Sequence, residues 1–296
     1  MESQPRARLK HGEELTAANP NPNPNSNSNS NSNANANANA SSPFPSASLQ
    51  LPFNCQARVD ASFDHPIFSE SIALIRALLA ERAAADPALA ALLAGWDPLE
   101  RDVLERCIHS SGDEAISTEL RFTAGGCAAG VAALRAGAPI LTDTAMAAAA
   151  VAPMAGRTFA NRVVSALQWA PAVAPEGSTR TAAGMAAALV QLRDAAGSAG
   201  PLAMAPVVLI GSAPTALEAL LERVAAGAVP APALVIGMPV GFVGVAASKR
   251  HLAASGLVHI RLEGSKGGAA LVAAACNALL RAGWLQAANA PSPLSC

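Results

Sequence analysis

A histidine three residues after an arginine is the first pairing in this 296-residue chain that could do chemistry. On a helix, Arg106 and His109 would share one face. Histidine titrates near neutral pH and serves as a general acid or base. The competing reading is structural, because a histidine in a last helical turn complements the helix dipole and needs no other role. Asp113, four residues on, either orients the ring or caps the segment that follows. Arg180 is a second candidate. A cation in a first helical turn opposes the dipole preference. Either Glu176 neutralises it, or Arg180 stands beside free helix N–H groups and makes an anion site.

Other residues weigh less. Gly237, Gly241 and Gly244 are spaced G-x-x-x-G-x-x-G rather than G-x-G-x-x-G, and no G-K-[ST] occurs, which excludes a P-loop and leaves a dinucleotide site weakly supported. Close strand-to-helix packing explains such glycines equally well. Ser110 and Ser212 have no partner base in sequence. Lys249 and Lys266 read as solvated surface charges, with an acidic ligand as the alternative. The five cysteines show no C-x-x-C spacing and the five histidines are scattered. A disulfide framework or a protein-bound metal is therefore not expected, and a reducing cytosol is the default.

These groups need a frame, and residues 207–249 show it most plainly. Two continuous apolar runs, 207–210 and 234–236, end on Gly211 and Gly237. Such runs suit strands buried on both faces. Pro214 fits the first position of a helix carrying Ala216, Leu217, Leu220, Leu221 and Val224, and Gly227 fits its end. Ligands of parallel units of this kind sit beyond the strands' carboxyl ends. The turns 211–215 and 237–244 are therefore expected to wall a pocket, with helix N-termini facing the ligand.

Upstream, Ser69 or Ser71 is expected to cap a helix carrying Ile72, Ile75, Leu78 and Leu79, stopped at Asp86-Pro87. A short helix over 87–94 ends at Gly95. Asp97-Pro98-Leu99-Glu100 forms a capping-box start for the helix that ends in His109. Further strands are predicted over 120–122, 139–142, 162–167 and 258–262. Helices follow over 124–136, after Asp143 as cap, over 180–196 and over 269–282, the last closed by Gly283. The alternation predicts an α/β fold, a single-domain three-layer α/β/α sandwich with a mostly parallel sheet of about five strands.

Composition sets the bounds. Residues 19–40 alternate Asn with Pro, Ser or Ala and lack apolar bulk, so residues 1–62 are expected to be a disordered low-complexity tail. The domain is placed at 63–284 and a flexible C-terminal tail at 285–296. Net charge is −1, which gives no case for nucleic acid or anionic membranes. No window of about 18 residues is strongly apolar throughout, so no membrane span is expected. The N-terminus has Arg6, Arg8 and Lys10 without an apolar block after them, unlike a secretory signal.

Six blocks in order, HPIFSESIALIR (65–76), ERCIHSSGD (105–113), LRAGAPILTD (134–143), STRTAA (178–183), IGSAPTAL (210–217) and GMPVGFVGVAASK (237–249), resemble the precorrin-8X methylmutase, or cobalt-precorrin-8 methylmutase, family of corrin biosynthesis. The resemblance covers about 65–283. It implies an isomerase that moves a methyl group from carbon 11 to carbon 12 of a tetrapyrrole, giving hydrogenobyrinic acid, or cobyrinic acid when cobalt is present. It implies no redox cofactor, nucleotide or protein-bound metal, and a homodimer with pockets near the interface. The family's catalytic histidine matches His109, its substrate-binding serine and arginine match Ser71 and Arg106, and Arg180 of STRTAA is implied to meet substrate. A corrinoid-binding or carrier protein on the same fold is the alternative, and a nucleotide-dependent α/β enzyme a third. The chain departs from the family in having Ser212 for Asn, Ala247 for Glu and Ala269 for the serine of GGS. Ala247 removes a carboxylate near Lys249.

Overall fold

The computed structural model describes residues 63–199 and 204–289. The chain divides into two units, Met1–Cys55 and Gln56–Cys296, and the described residues belong to the second. The expected tails at 1–62 and, from 290, at the C-terminus fall outside the described residues.

The elements run α1 (Pro66–Ala85), α2 (Pro87–Ala94), α3 (Pro98–Ser111), a 3-10 turn (Glu114–Thr118), β1 (Leu120–Phe122), α4 (Gly126–Arg135), β2 (Ile140–Thr142), α5 (Ala145–Arg157), β3 (Val163–Ser165), a second 3-10 turn (Ala166–Trp169), α6 (Arg180–Ala199), β4 (Val207–Ile210), α7 (Pro214–Ala225), β5 (Leu234–Gly237), α8 (Val245–Ala254), β6 (His259–Leu262) and α9 (Ala269–Asn289). The sheet has six strands in the order β1-β6-β5-β4-β2-β3. All neighbours are parallel except β1, which pairs antiparallel with β6, Leu120 opposite Leu262. The expected sandwich is therefore present, with an antiparallel edge strand.

Alternation along the strands separates two cores. Val207, Leu209, Leu234, Ile236, Ile260 and Leu262 face one layer with α1, α3, α4, α5 and α9. Val208, Ile210, Val235 and Leu141 face the other with α6, α7 and α8. Successive strand residues point to opposite faces, so near-continuous apolar runs serve both layers at once.

Local starts and stops explain most boundaries. Asp86 accepts from Ala88 N and Leu89 N, and Pro87 opens α2. Asp97 and Glu100 form the reciprocal capping box of α3 at 2.9 Å each way, worth about 1 kcal/mol. Gly112, at φ +67°, takes the left-handed conformation that stops α3 after His109.

Three expectations are corrected. Helix α1 begins earlier than Ser69 or Ser71, at Pro66, because the His65 side chain accepts from Ile67 N. Asp143 does not cap α5. Thr144 does, while the Asp143 carboxylate accepts from Ser212 N at 2.7 Å and Ala213 N at 2.9 Å. Helix α9 does not stop at Gly283 but runs to Asn289. A Cβ on Gly283 would stand 2.9 Å from Val131 Cγ1 and 3.3 Å from the Phe159 ring, so the glycine serves close packing on α4 rather than termination. Among the described residues α9 is also the one helix long and apolar enough to cross a membrane, but 67% of its apolar window is buried within the fold.

Candidate active site

Helices α1 and α3 bring Ser71 and His109 together. Ser71 Oγ lies 2.8 Å from His109 Nδ1, across 38 residues of sequence. Where Nδ1–H donates to the serine oxygen, Nε2 keeps its lone pair. Among the described residues Nε2 has no protein partner, and the imidazole is exposed. Burial of part of the ring and the nearby Arg106 cation both lower the His109 pKa below its usual value. The ring therefore favours its neutral form at pH 7.

Arg106 is one turn before His109, as the spacing predicted. It is half-buried, and its guanidinium carbon sits 4.5 Å from the centroid of Phe68. Among the described residues it makes no ion pair. Burial, and then Arg281, lower its pKa, yet a guanidinium stays charged. A half-buried cation without a carboxylate is a ready partner for an anionic ligand. By contrast, Arg76 is committed to Glu105 at 2.8 and 2.9 Å, and Arg281 to Asp64.

Phe68 is the residue that sequence reasoning missed. Its ring meets His109 edge-on at 5.1 Å and carries Arg106 on its face. It lies three residues before Ser71, on the same face of α1, and that spacing was the available signal. A cavity of about 140 Å³ lined by Asp64, Phe68, Ser69, Arg106 and Arg281 opens beside the group. A groove of about 600 Å³ between α1, α2 and α3, lined by Leu79, Trp96 and Leu104, touches none of Ser71, Arg106 or His109. Its Arg76 and Arg101 are already bonded to Glu105 and Leu93 O.

Arg180 does not join this group. It opens α6, in the opposite layer, and its Nε donates to Pro171 O at 2.8 Å. Thr179 caps α6 and touches Thr215 at 2.7 Å, so the α6 and α7 N-termini stand side by side. The α7 terminus is not open to a ligand through Ser212 and Ala213. Their N–H groups already bind the fully buried Asp143 carboxylate, whose pKa burial raises against those two hydrogen bonds.

Asp113 caps the 3-10 turn through Ala115 N and pairs with Lys266, so its capping role holds and Ser71 holds the imidazole. Of the two lysines, Lys249 is not a solvated surface charge, whereas Lys266 keeps a partly exposed ammonium. Lys249 is 1% exposed and donates to Gly264 O and Lys266 O. Lys266 bridges Asp113 and Glu119. Ala247 thus removes no partner that Lys249 uses here. Among the described residues no three His, Cys, Asp or Glu side chains cluster to hold a metal ion.

A family model described as CbiC: Precorrin-8X methylmutase matches residues 66–282. A precorrin-8X methylmutase of Pseudomonas aeruginosa is 46% identical over 179 residues, spanning 59% of this chain and 80% of that protein. One of Sinorhizobium sp is 39% identical over 222 residues, 73% of this chain and 94% of its own length. A crystal structure of a precorrin-8x methyl mutase from Thermus thermophilus superposes with a TM-score of 0.55 at 36% identity, covering 74% of this chain and 98% of the other.

Proposed function

This chain belongs to the precorrin-8X methylmutase family, and we propose that it catalyses that family's methyl shift in cobalamin biosynthesis with His109 moving the proton. The observation that carries the residue assignment is the 2.8 Å contact of Ser71 with His109, which orients one ring nitrogen and leaves the other free.

The reaction is an intramolecular isomerisation. The bond from the methyl to carbon 11 breaks and the bond to carbon 12 forms, with no change in composition. A proton relocated on the conjugated ring favours the new bonding pattern. Neutral His109 accepts that proton through Nε2 and returns it, and a positioned general acid–base contributes about 10²–10⁴-fold. Arg106 binds a peripheral carboxylate beside the histidine. Arg180 meets the same macrocycle from the opposite layer, at the α6 N-terminus. Remaining acceleration comes from holding the ring in a reactive shape.

The domain begins at residue 63 and takes in all of α9, to Asn289 rather than to the expected 284, with tails on either side. The protein acts as a cytoplasmic homodimer without nucleic acid or membrane partners. The described cysteines, all free and buried, suit a reducing compartment.

Purified protein incubated with precorrin-8X and, separately, with cobalt-precorrin-8 should convert at least one of them, followed by its visible spectrum. Stoichiometric binding without spectral conversion would favour a carrier instead. His109→Ala should bind substrate and not turn it over.

A further inference from the structure

Lys249, on α8, is an ion sealed inside the fold, 1% exposed and without a carboxylate at ion-pair distance among the described residues. An isolated buried charge is costly. Burial pushes the lysine down to about 8, with Glu119 opposing and Arg261 adding to that fall. What satisfies the ammonium is backbone of a single loop, 263–268, between β6 and α9. It donates to Gly264 O at 2.9 Å and to Lys266 O at 2.6 Å.

The loop is fitted closely on its other side. Gly268 N donates to Met238 O and Gly241 N donates to Ser265 O. A Cβ on Gly267 would lie 2.0 Å from Met238 O, so no other residue enters without backbone movement. From this loop the Lys266 side chain reaches Asp113 at 2.9 Å and Glu119 at 3.3 Å. Asp113 follows Gly112, the residue that ends the helix carrying His109.

We infer that Lys249 is a positioning residue for the methyl shift: it fixes the 263–268 loop so that Lys266 anchors the segment after His109 and holds that ring against substrate. The inference rests on the His109 assignment above.

Lys249→Met, Lys266→Met, Lys266→Arg and His109→Ala are compared in steady-state turnover of precorrin-8X, with unfolding midpoints measured alongside. Lys249→Met is expected to lower kcat about 100-fold, the loss that a displacement of ~1 Å produces, with KM held within about threefold. Lys266→Met should lower kcat too. A variant carrying both Lys249→Met and Lys266→Met should lose less than the product of the two losses, because both act through one link. Lys266→Arg still bridges the two acids and should recover most of kcat. A purely structural lysine would lower the unfolding midpoint and leave kcat of the folded protein near wild type, which overturns the inference. Full kcat in Lys266→Met overturns it as well, and decides the matter even where Lys249→Met does not fold. Turnover retained by His109→Ala sinks the histidine assignment and this inference together. Turnover abolished there but kept by both lysine variants sinks the positioning role alone.

Discussion

At the scale of single residues, two effects act on His109 with the same sign. Partial burial disfavours the imidazolium, and so does the Arg106 cation. A histidine that accepts a proton must enter the reaction neutral. Activity is therefore lost as pH falls through its pKa, and the acidic limb of kcat/KM, which reports the free enzyme, should lie below 6.5, the ordinary histidine value. Arg106→Leu removes the second of the two causes. The pKa then rises and the limb moves to higher pH, while KM increases through the lost carboxylate contact. A pH–rate profile in which Arg106→Leu leaves the limb in place would mean that some other group titrates. Ser71→Ala tests orientation separately. Losing one hydrogen bond of about 1 kcal/mol should cost roughly fivefold in kcat, and a single-turnover measurement checks it. Arg106 and His109 were legible from a three-residue spacing. Arg180 stood out as a cation in a first helical turn, and Ser71 as a site residue came from the family resemblance. The Ser71–His109 contact was beyond spacing arguments, since two residues 38 apart meet only once the helices that carry them have packed.

At the scale of elements, punctuation residues were readable wherever the interaction is local. The Asp97 capping box and the Asp86-Pro87 junction are each set within a few residues, and each stands where the sequence placed it, while α3 runs two residues past the expected end at His109 before Gly112 stops it. Local patterns mislead where a distant partner competes. Asp143 looks like a helix cap but binds backbone 69 and 70 residues away. Gly283 looks like a terminator but admits α4. Lys249 looks solvated because its two carbonyl partners arrive 15 and 17 residues later, in a loop of no recognisable type. The same nonlocal packing yields a prediction at Gly267. Alanine there would drive Cβ into Met238 O, a backbone atom that no rotamer change can move. Overpacking of this sort costs about 1–3 kcal/mol, so Gly267→Ala should shift the urea midpoint down without a change in slope. An unaltered midpoint would show that the 263–268 loop is not held against the β5–α8 turn.

For the molecule as a whole, the layering was legible and the surface was not. Continuous apolar strands announce burial on both faces, but nothing in the sequence marks which apolar groups stay outside. Phe242 is 94% exposed and Val243 89%, at the tip of the β5–α8 turn, and Ile67 and Leu74, seven residues apart on α1, are 67% and 66% exposed. Ile67 and Leu74 share the helix that carries Ser71, and Gly241 of the turn is bonded to the loop that carries Lys266. Monomers seldom leave contiguous apolar patches larger than a few hundred Å² uncovered. The proposed homodimer would cover them, and by doing so would close over the exposed face of His109. A glutamate placed in a dry interface costs several kcal/mol, and each ~1.4 kcal/mol weakens association tenfold. Leu74→Glu and Phe242→Glu should therefore each raise the dimer dissociation constant at least about 100-fold, measured by sedimentation velocity across a concentration series. Wild type sedimenting as a monomer at micromolar concentration would remove the dimer. If the variants become monomeric and lose turnover in proportion, the second copy completes the site. Monomers that turn over at the wild-type rate would instead mean that Ser71, Arg106 and His109 suffice within one chain.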